Sequence, residues 1–469
     1  MKRKKLGLFS VISTGVGLIV ATSCLMSLCQ GAGSIGAIFI ISILLACLLN
    51  MLTAASLAEL NALMPNLTGG LAQYTLAGLG PFVTLVSMVG GYLICNSLTA
   101  PAEGAMFSFA IKEITGWKIP SAVFSVGLTA ILILVNLFGV DMFAKIQDIV
   151  AFLLIGSLIL LGIIGVAGIG TGTKISQPMN RTGDLSEVIS MSAAAFWLFI
   201  GVEFIIPISG EVKNAKKNIP LGMFLSLAII GMIQIVLVLG MHQYTYWGDL
   251  VQSSSPHLLY GVNLLGSIGK VWIGIISILA AISTQNSVIS SIPKICYGMS
   301  KMNLLPEFFQ KTNKHHAPYL GIVLYGIIIM IIEGTGLATA DGVSFLILTA
   351  SVFWMVSYMI SHVNVLVLRR RMPKAPRNFK VPLGPVLPLT GIAGMAYMIL
   401  HISADPTRKM QIWMVAGGIF LLLAVYSVLW IKKKMKLPMF KPVELSKVMA
   451  MDNPLYYAAR KTWTKEKKI

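Results

Sequence analysis

Charged residues are scarce in this sequence of 469 residues, because Asp, Glu, Lys and Arg together make up only 11% of it. Soluble domains carry about 25% charged residues. Hydrophobic residues make up 56%, and a soluble fold of this length cannot hide so many apolar side chains from water. The composition therefore excludes an ordinary soluble protein and predicts a polytopic membrane protein.

Sequence signatures of catalysis and of nucleotide binding are also missing. The five cysteines form no CxxC motif and no cluster with histidine, and we interpret them as small buried residues. No nucleophile motif, P-loop or dinucleotide fingerprint occurs. We therefore expect a protein that is not an enzyme, holds no metal, carries no cofactor and is not driven by ATP.

Long apolar runs occur along most of the chain. A helix needs about 20 apolar residues to cross the hydrocarbon core of a membrane. At that length the sequence predicts twelve spans, at residues 6–28, 34–63, 81–110, 120–140, 146–170, 188–210, 220–242, 264–292, 318–336, 341–368, 384–403 and 410–431.

Positive charge is distributed unevenly between the predicted loops. With the N-terminus inside, the inner segments hold 29 of the 36 Lys and Arg residues and the outer segments hold seven. Cytoplasmic loops are rich in Lys and Arg, so both termini are predicted to be cytoplasmic, in a multi-pass protein of the cytoplasmic membrane. We interpret residues 432–469 as a basic cytoplasmic tail that contacts lipid headgroups and not nucleic acid.

Two predicted spans contain residues that disfavour a continuous helix. In span 1, Gly17 is followed by four small residues at 21–24, and in span 6 Gly201, Glu203 and Pro207 lie close together. Corresponding interruptions in two halves of a chain are typical of inverted-repeat transporters. The alternative interpretation is close helix packing through small residues.

The positions of the two interruptions predict an internal repeat. Each lies in the first helix of a group of five spans, at about residues 6–170 and 188–368, and two more spans follow at about 384–431. We therefore expect one transmembrane domain at residues 1–431. Unwound helix ends offer N–H groups to a carboxylate and carbonyl groups to an ammonium, so a zwitterion such as an amino acid is the expected ligand.

Four loop segments resemble elements of one transporter superfamily. They follow spans 2, 6, 8 and 10, and they read AELNALMPNLTGGLAQY at 58–74, EVKNAKKNIP at 211–220, YGMSKMNLLP at 297–306, and LRRR followed by FKVP within 368–382. On these motifs most of residues 6–400 resembles the amino acid–polyamine–organocation superfamily and its amino acid permeases. The resemblance implies an all-α membrane protein of about 12 transmembrane helices. It also implies a LeuT-like five-plus-five inverted-repeat fold, broken helices 1 and 6, and alternating access.

Span 6 is also similar to a segment of arginine/agmatine antiporters in the same superfamily. Their WSFIGVE corresponds to WLFIGVE at 197–203 here. The similarity implies that Trp197 gates the substrate and that Glu203 couples transport to protons, although Glu203 can also serve only to brace helices. With the interruption in span 1, the resemblance implies the substrate-binding residues Gly17, Ala21, Thr22, Ser23, Trp197, Phe199, Ile200 and Gly201.

Two positions depart from the pattern of the superfamily. The usual GSGIF of span 1 is ATSCL at 21–25 here, so we expect the Thr22 and Ser23 hydroxyls to act as donors to a carboxylate. The lysine that stands in for a sodium ion in some members is Leu154 here, which disfavours a lysine-based proton relay. Coupling to H⁺ by another route, and to Na⁺ through Ser283 and Thr284, both stay open.

Glu103 lies inside span 3. A carboxylate at that depth is costly unless it is paired, protonated or facing water. One hypothesis is that Glu103 lines the outer vestibule and either titrates, in a gating or coupling role, or attracts cationic substrates. The alternative is that it lies near the outer interface, because Lys112 follows only nine residues later.

Taken together, the residues predict a secondary active transporter of amino acids, working as an exchanger or as a proton-coupled symporter. A polyamine antiporter, or an antiporter of an amino acid and its decarboxylation product, is the alternative. A membrane sensor or enzyme without flux is a different class. The expected partners are an amino acid or related small amine and membrane lipids, while the identity of the substrate and the oligomeric state stay open.

Overall fold

The computed structural model describes residues 6–65, 71–138, 142–181, 184–301, 303–335 and 339–450. These residues form α-helices, with short 3-10 and π-helical segments between some of them. In chain order the helices are α1 (Leu8–Ile19), α2 (Thr22–Ile35), α3 (Phe39–Leu63), α4 (Leu71–Gly78), α5 (Pro81–Met88), α6 (Cys95–Thr115), α7 (Ser121–Leu137), α8 (Met142–Ala167), α9 (Leu185–Trp197), α10 (Ala215–Tyr244), α11 (Trp247–Gln252), α12 (Pro256–Lys301), α13 (Tyr319–Gly334), α14 (Ala340–Arg371), α15 (Val386–Leu400), α16 (Pro406–Trp430) and α17 (Leu445–Ala450).

The predicted spans are found as helices. Within the described residues, seven helices are long and apolar enough to cross a membrane, and the bent pair α1 and α2 forms an eighth span. Shorter apolar helices at Ser121–Leu137, Phe152–Ala167, Tyr319–Gly334 and Val386–Leu400 occupy the other predicted spans. The prediction of an all-α membrane protein with about twelve transmembrane helices is therefore confirmed.

The helices differ from the predicted spans at several boundaries. Span 8 was expected at 264–292, whereas α12 runs from Pro256 to Lys301 and contains a kink at Gly266, where φ is 62°. A residue with a Cβ atom rarely adopts that φ, so glycine allows a helical segment before the kink. The short helices α4 and α11 were missed, because eight and six residues fall far below the length of a span.

The first predicted break lies between α1 and α2. Val20 and Ala21 have extended backbone dihedrals, and the chain axis turns by 67° between Leu8–Gly17 and Thr22–Ile35. Val20 is β-branched, which favours extended backbone over helix. Helix 1 is therefore interrupted at the predicted position, and α2 begins with its own set of free N–H groups.

The second predicted break follows α9. The α-helix ends at Trp197, and a 3-10 helix takes over at Val202–Glu211. Between them Gly201 has a φ of 121°, which is accessible to glycine and rarely to other residues. The Gln234 side chain donates a hydrogen bond from Nε2 to the Leu198 carbonyl over 3.1 Å, so it satisfies a carbonyl that the end of α9 leaves free.

The packing of the helices repeats between the two halves of the chain. The first helix of each half packs on the second helix of the other half, because α1 contacts α10 and α9 contacts α3. In the same way α6 packs on α14 while α12 packs on α8. Exchanging the halves thus reproduces the contacts, which is the arrangement expected of five-plus-five inverted repeats.

The third span contains a wide turn before its polar residues. Helix α5 continues through a π-helical segment, Val89–Ile94, into α6. Gly91 lies in this segment against Ser357 of α14, and a Cβ atom at Gly91 would lie 2.5 Å from the Ser357 Oγ. A π-helical turn shifts the register of the following helix and often lies at functional sites.

A buried cluster of charges connects α3 with the segment after α14. Glu59, 2% exposed, accepts hydrogen bonds from the Arg369 guanidinium through both carboxylate oxygens, and Arg377 Nε lies 3.4 Å away. The Val381 backbone N–H also donates to Glu59, over 2.7 Å. Glu59 belongs to the AEL motif, and this network gives that motif a structural explanation.

The beginning of the predicted tail packs against the helical bundle. The Val443 N–H donates to the Leu76 carbonyl of α4, and the Phe82 N–H of α5 donates to the Met439 carbonyl. Val448 of α17 is fully buried. Residues 451–469 of the predicted tail, and residues 1–5 of the predicted domain, lie outside the described residues.

Candidate functional site

A cavity of about 140 Å³ lies where the two breaks face each other. The end of α1 contributes Gly17 and Ile19, and the two residues between α1 and α2, Val20 and Ala21, also line it. The second break contributes Trp197 at the end of α9, together with Ile200, Gly201 and Phe204. Both interruptions thus open onto one space inside the bundle.

Helices α6 and α12 close the cavity with one face each. On α6 the lining residues Asn96, Thr99 and Glu103 are spaced three and four residues apart. The same spacing on α12 selects Thr284, Ser287, Ser291 and their apolar neighbours. Residues three and four apart lie on one side of a helix, so each helix turns a polar stripe toward the cavity.

The structure brings many of the predicted site residues to the cavity. The predicted residues that line it share a position at a break or on α6, and they are Gly17, Ala21, Trp197, Ile200, Gly201 and Glu103. The predicted residues that do not line it are Thr22, Ser23, Phe199 and Glu203, each at most 2% exposed. The roles of all these residues in binding, gating or coupling stay predictions.

The Thr22 and Ser23 hydroxyls are engaged within the protein. Thr22 Oγ1 donates to the Ser277 carbonyl over 3.3 Å, and Ser23 Oγ accepts a hydrogen bond from Trp197 Nε1 over 3.2 Å. Neither hydroxyl lines the cavity. Their donation to a substrate carboxylate stays a prediction.

The carboxylate of Glu103, a residue of α6, lies at the N-terminus of α2. Its Oε1 accepts a hydrogen bond from the Ser23 backbone N–H over 3.0 Å, and the residue is 2% exposed. Its Oε2 has no hydrogen-bond partner in the described part of the chain. A carboxylate is stabilised at a helix N-terminus by the free N–H groups and the helix dipole. Glu103 is therefore buried inside the helical bundle, and its depth in the membrane stays a prediction.

Glu203 lies at the second break, two residues after Gly201. Its Oε2 accepts a hydrogen bond from the Gly201 N–H over 3.1 Å and another from the Tyr358 hydroxyl of α14. Its Oε1 has no partner in the described residues. Tyr358 also contacts Trp354, whose ring packs against Phe204. Glu203 thus connects the second break to α14 next to the cavity.

Trp197 separates the cavity from a second space. That second cavity, of about 200 Å³, begins one turn further along α2, at Ser27, and one turn earlier along α9, at Ala194. Asp341 and Ser344 of α14 also line it. The hydrogen bond from Trp197 to Ser23 thus lies between the residues that line the two cavities.

Comparison with known proteins identifies the family. The model of the family described as "Amino acid permease" matches residues 6–436, which is nearly the whole chain. The chain belongs to the amino acid permease family. Because this family and its structural neighbours are transporters, the protein is a multi-pass membrane transporter and not an enzyme.

Individual relatives of this permease are distant. It is 25% identical to the branched-chain amino acid permease BcaP of Bacillus subtilis over 88% of this chain and 91% of the relative. It is 24% identical to the methylthioribose transporter of the same organism, over 88% and 89% of the two chains. It is also 24% identical to the serine/threonine exchanger SteT of that organism, over 85% and 90%.

Solved structures confirm the fold of the permease. A manganese transporter from Eremococcus coleocola superposes with a TM-score of 0.54, over 91% of this chain and 96% of that one. The sequence identity is 16%. At that identity the similarity shows the fold alone.

The permease has no evident site for a transition metal in its described residues, where no group of three or more His, Cys, Asp or Glu side chains could hold an ion. Of the predicted sodium ligands, Thr284 lines the cavity, whereas the Ser283 carbonyl accepts a hydrogen bond from Ser287. Leu154 is buried, 2% exposed. The coupling ion stays a prediction.

Several residues that line the cavity of the permease were not among the predicted site residues. Thr99, Ser287, Ser291 and Phe204 line the cavity but were not candidates. The hydroxyl residues at 284, 287 and 291 recur at helical spacing inside an apolar span, and that signal could have found them. Phe204 carries no such signal, because an aromatic residue in a span is most often part of the core.

Proposed function

We propose that this permease is a secondary active transporter that carries amino acids across the cytoplasmic membrane by alternating access. The observation that carries the proposal is that both helix breaks, Val20–Ala21 and Leu198–Gly201, open onto the same cavity. Discontinuous helices at the repeat interface form the substrate sites of such transporters. The relatives named for branched-chain amino acids and for serine and threonine support amino acids as the substrates.

The two cavities supply the geometry for alternating access. The cavity near Ser27 and Asp341 and the cavity at the breaks lie on either side of Trp197. Rotation of the first helix of each repeat would break the contact between Trp197 and Ser23 and connect them. We propose that this contact is the gate on that side of the substrate.

Glu203 is the proposed coupling residue. It is 2% exposed, it connects Gly201 at the break to Tyr358 of α14, and one of its oxygens has no partner in the described residues. A change in its charge would alter the contacts between the break and α14. We propose coupling to H⁺ through this residue, or obligatory exchange, with Na⁺ coupling through Thr284 as the alternative.

Purified protein in liposomes tests the proposal. The experiment measures counterflow of labelled leucine, serine and glutamate into vesicles loaded with the same unlabelled amino acid. Uptake above that of empty vesicles is expected for at least one amino acid. Binding without any counterflow would instead support a membrane sensor. Imposed proton and sodium gradients then distinguish exchange from symport, since an exchanger is insensitive to both.

The direction of the protein in the membrane is part of the proposal. Both termini are proposed to be cytoplasmic, because 29 of the 36 Lys and Arg residues fall on that side. A cysteine introduced in the 403–405 turn should then react with a membrane-impermeant thiol reagent that is added to intact cells. Labelling only after permeabilisation would reverse the orientation.

A second candidate is an antiporter of amines or of decarboxylation products. The observation that favours it is that Glu103 lines the cavity and that its Oε2 has no hydrogen-bond partner among the residues that the structure describes. The counterflow experiment includes putrescine and agmatine for this reason. Uptake of either amine, without uptake of the three amino acids, would favour the second candidate.

A further inference from the structure

The protein's own carboxylates already occupy an N–H group at each break. At the first break Glu103 Oε1 accepts from the Ser23 N–H over 3.0 Å, and at the second Glu203 Oε2 accepts from the Gly201 N–H over 3.1 Å. These are the groups that would otherwise receive the carboxylate of a substrate. The cavity in this structure is therefore not arranged to receive an anion at either position.

The groups that face the cavity favour a positive charge instead. Glu103 is buried, lines the cavity and has one oxygen, Oε2, without a partner in the described residues. The C-terminal ends of α1 and α9, at Ile19 and Trp197, also line it. Helix C-termini carry the negative end of the dipole, which favours a cation.

No positive side chain balances this arrangement among the described lining residues. Apart from Glu103, these residues are apolar or carry neutral hydroxyl, amide, thiol or indole groups. An ammonium would gain a charge-assisted hydrogen bond to Glu103, whereas a carboxylate held next to it would face a like charge in a weakly screened space. A zwitterion gains the first interaction and suffers the second.

We propose that Glu103 is a specificity-determining residue, which makes the cavity bind a cationic amine and disfavour a free carboxylate beside that amine. The inference rests on the proposed transport function and, within it, favours the second candidate, an amine substrate, over a free amino acid. The substrate class that follows is that of small primary amines and of amino acids whose carboxyl group is masked as an amide or ester. Thr284 and Ser287 of the neighbouring helix α12 also line the cavity, and their hydroxyls are available to the uncharged part of such a molecule.

The test measures the binding of three ligands to the purified full-length protein. The ligands share one side chain and carry a carboxylate, an amide or neither beside the amine. The probes are leucine, leucinamide and 3-methylbutylamine, with the corresponding forms of alanine and phenylalanine. Thermal unfolding at increasing concentrations of each probe gives an apparent Kd, because a ligand that binds only the folded state raises the unfolding temperature. For at least one side chain, the amide and the amine should bind about tenfold or more tightly than the amino acid.

Glu103→Gln tests whether this preference comes from Glu103. The amide oxygen can still accept from the Ser23 N–H, while the amide NH₂ presents a donor to the cavity. We therefore expect the ratio of affinities to fall to about unity or to invert in this variant. Glu103→Asp keeps the carboxylate and should keep part of the preference for amines. Comparison of the two variants therefore shows whether the preference depends on the negative charge.

Glu333→Gln is the matched control. Glu333 is a buried carboxylate on α13 that accepts from Thr129 and Gln285 and does not line the cavity. It lies next to Gly104, so its removal changes the charge near Glu103 without changing the cavity wall. The preference for amines should persist in this variant. If it is lost, the buried negative charge of the region, and not Glu103 in particular, sets the ratio of the affinities for amine and amino acid.

Other outcomes would overturn the inference or the proposed function separately. If leucine binds as tightly as leucinamide and enters by counterflow, the inference is wrong while amino acid transport stands. If the amines bind better but the ratio is the same in Glu103→Gln, the role given to Glu103 is wrong. If no amino acid or amine is bound or transported, the proposed function fails, and the inference fails with it.

Discussion

The indole Nε1 of Trp197 donates a hydrogen bond to the hydroxyl of Ser23 over 3.2 Å. This contact joins the last residue of α9 to the beginning of α2, so it connects the two broken helices directly. It also lies between the two cavities. A group that must open and close in each transport cycle is expected to sit at such a junction.

Trp197→Phe should slow transport by about tenfold, because phenylalanine keeps an aromatic ring but has no N–H to donate to Ser23. The measurement is the initial rate of counterflow in proteoliposomes at equal protein content. Trp272→Phe is the control, since Trp272 donates its indole N–H to Ser157 over 3.0 Å and does not line the cavity. Equal rates for the two variants would show that the contact with Ser23 is not a gate.

The Tyr358 hydroxyl donates to a carboxylate that is otherwise short of partners. Tyr358→Phe should lower the free energy of unfolding by about 1–3 kcal/mol, because it leaves Glu203 with one fewer donor inside the protein. Tyr426→Phe is the comparison, since the Tyr426 hydroxyl has no partner in the described residues. Chemical unfolding in detergent measures both.

The pH profile of uptake separates a coupling role of Glu203 from a bracing role. If Glu203 only braces helices, Tyr358→Phe destabilises the protein and leaves the shape of the profile unchanged. If Glu203 couples transport to protons, loss of the Tyr358 donor moves the profile. A variant with the parent's stability and the parent's profile would remove Glu203 from both roles.

Much of the fold could be predicted because it depends on local composition. An apolar run of about 20 residues identifies a membrane helix wherever it lies, and the four shorter helices were found on the same basis. Helices α4 and α11 are too short for that signal. The kink at Gly266 was missed because a single glycine in an apolar run is common in membrane helices and rarely marks a boundary.

The candidate site could be predicted only in part, for a physical reason. The breaks depend on residues such as Gly201, whose φ of 121° excludes most other side chains, and such residues are visible in the sequence. The carboxylate that occupies the α2 N-terminus comes from Glu103, 80 residues away along the chain. Which of several polar groups reaches a given N–H depends on tertiary packing, and no local pattern encodes it.

Gly201→Ala tests the backbone of the second break. Alanine at a φ of 121° is strained by about 1–3 kcal/mol, so the variant should be less stable and transport poorly. Gly127→Ala is the control, because Gly127 lies inside α7 with open space around the position of a Cβ atom. There alanine should be neutral or stabilising by about 0.5–1 kcal/mol. Thermal unfolding and counterflow of both variants give the comparison.

The buried charges around Glu59 make a prediction about stability alone. Arg369→Ala should destabilise the protein by about 3–5 kcal/mol, because among the described residues it leaves the buried Glu59 carboxylate with Arg377 and one N–H as partners. Arg369→Lys should recover only part of the loss, since lysine cannot make the two parallel hydrogen bonds of the guanidinium.

Lys270→Ala is the control for Arg369→Ala, because it removes an exposed ion pair. Lys270 lies 3.6 Å from Glu113, and the two side chains are 37% and 50% exposed. Exposed pairs contribute little, so this variant should lose less than about 1 kcal/mol. Chemical unfolding of the three variants in the same detergent gives the order of their free energies of unfolding. If Arg369→Ala is as stable as Lys270→Ala, the Glu59 network does not hold α3 to the segment after α14, and the AEL motif needs another explanation.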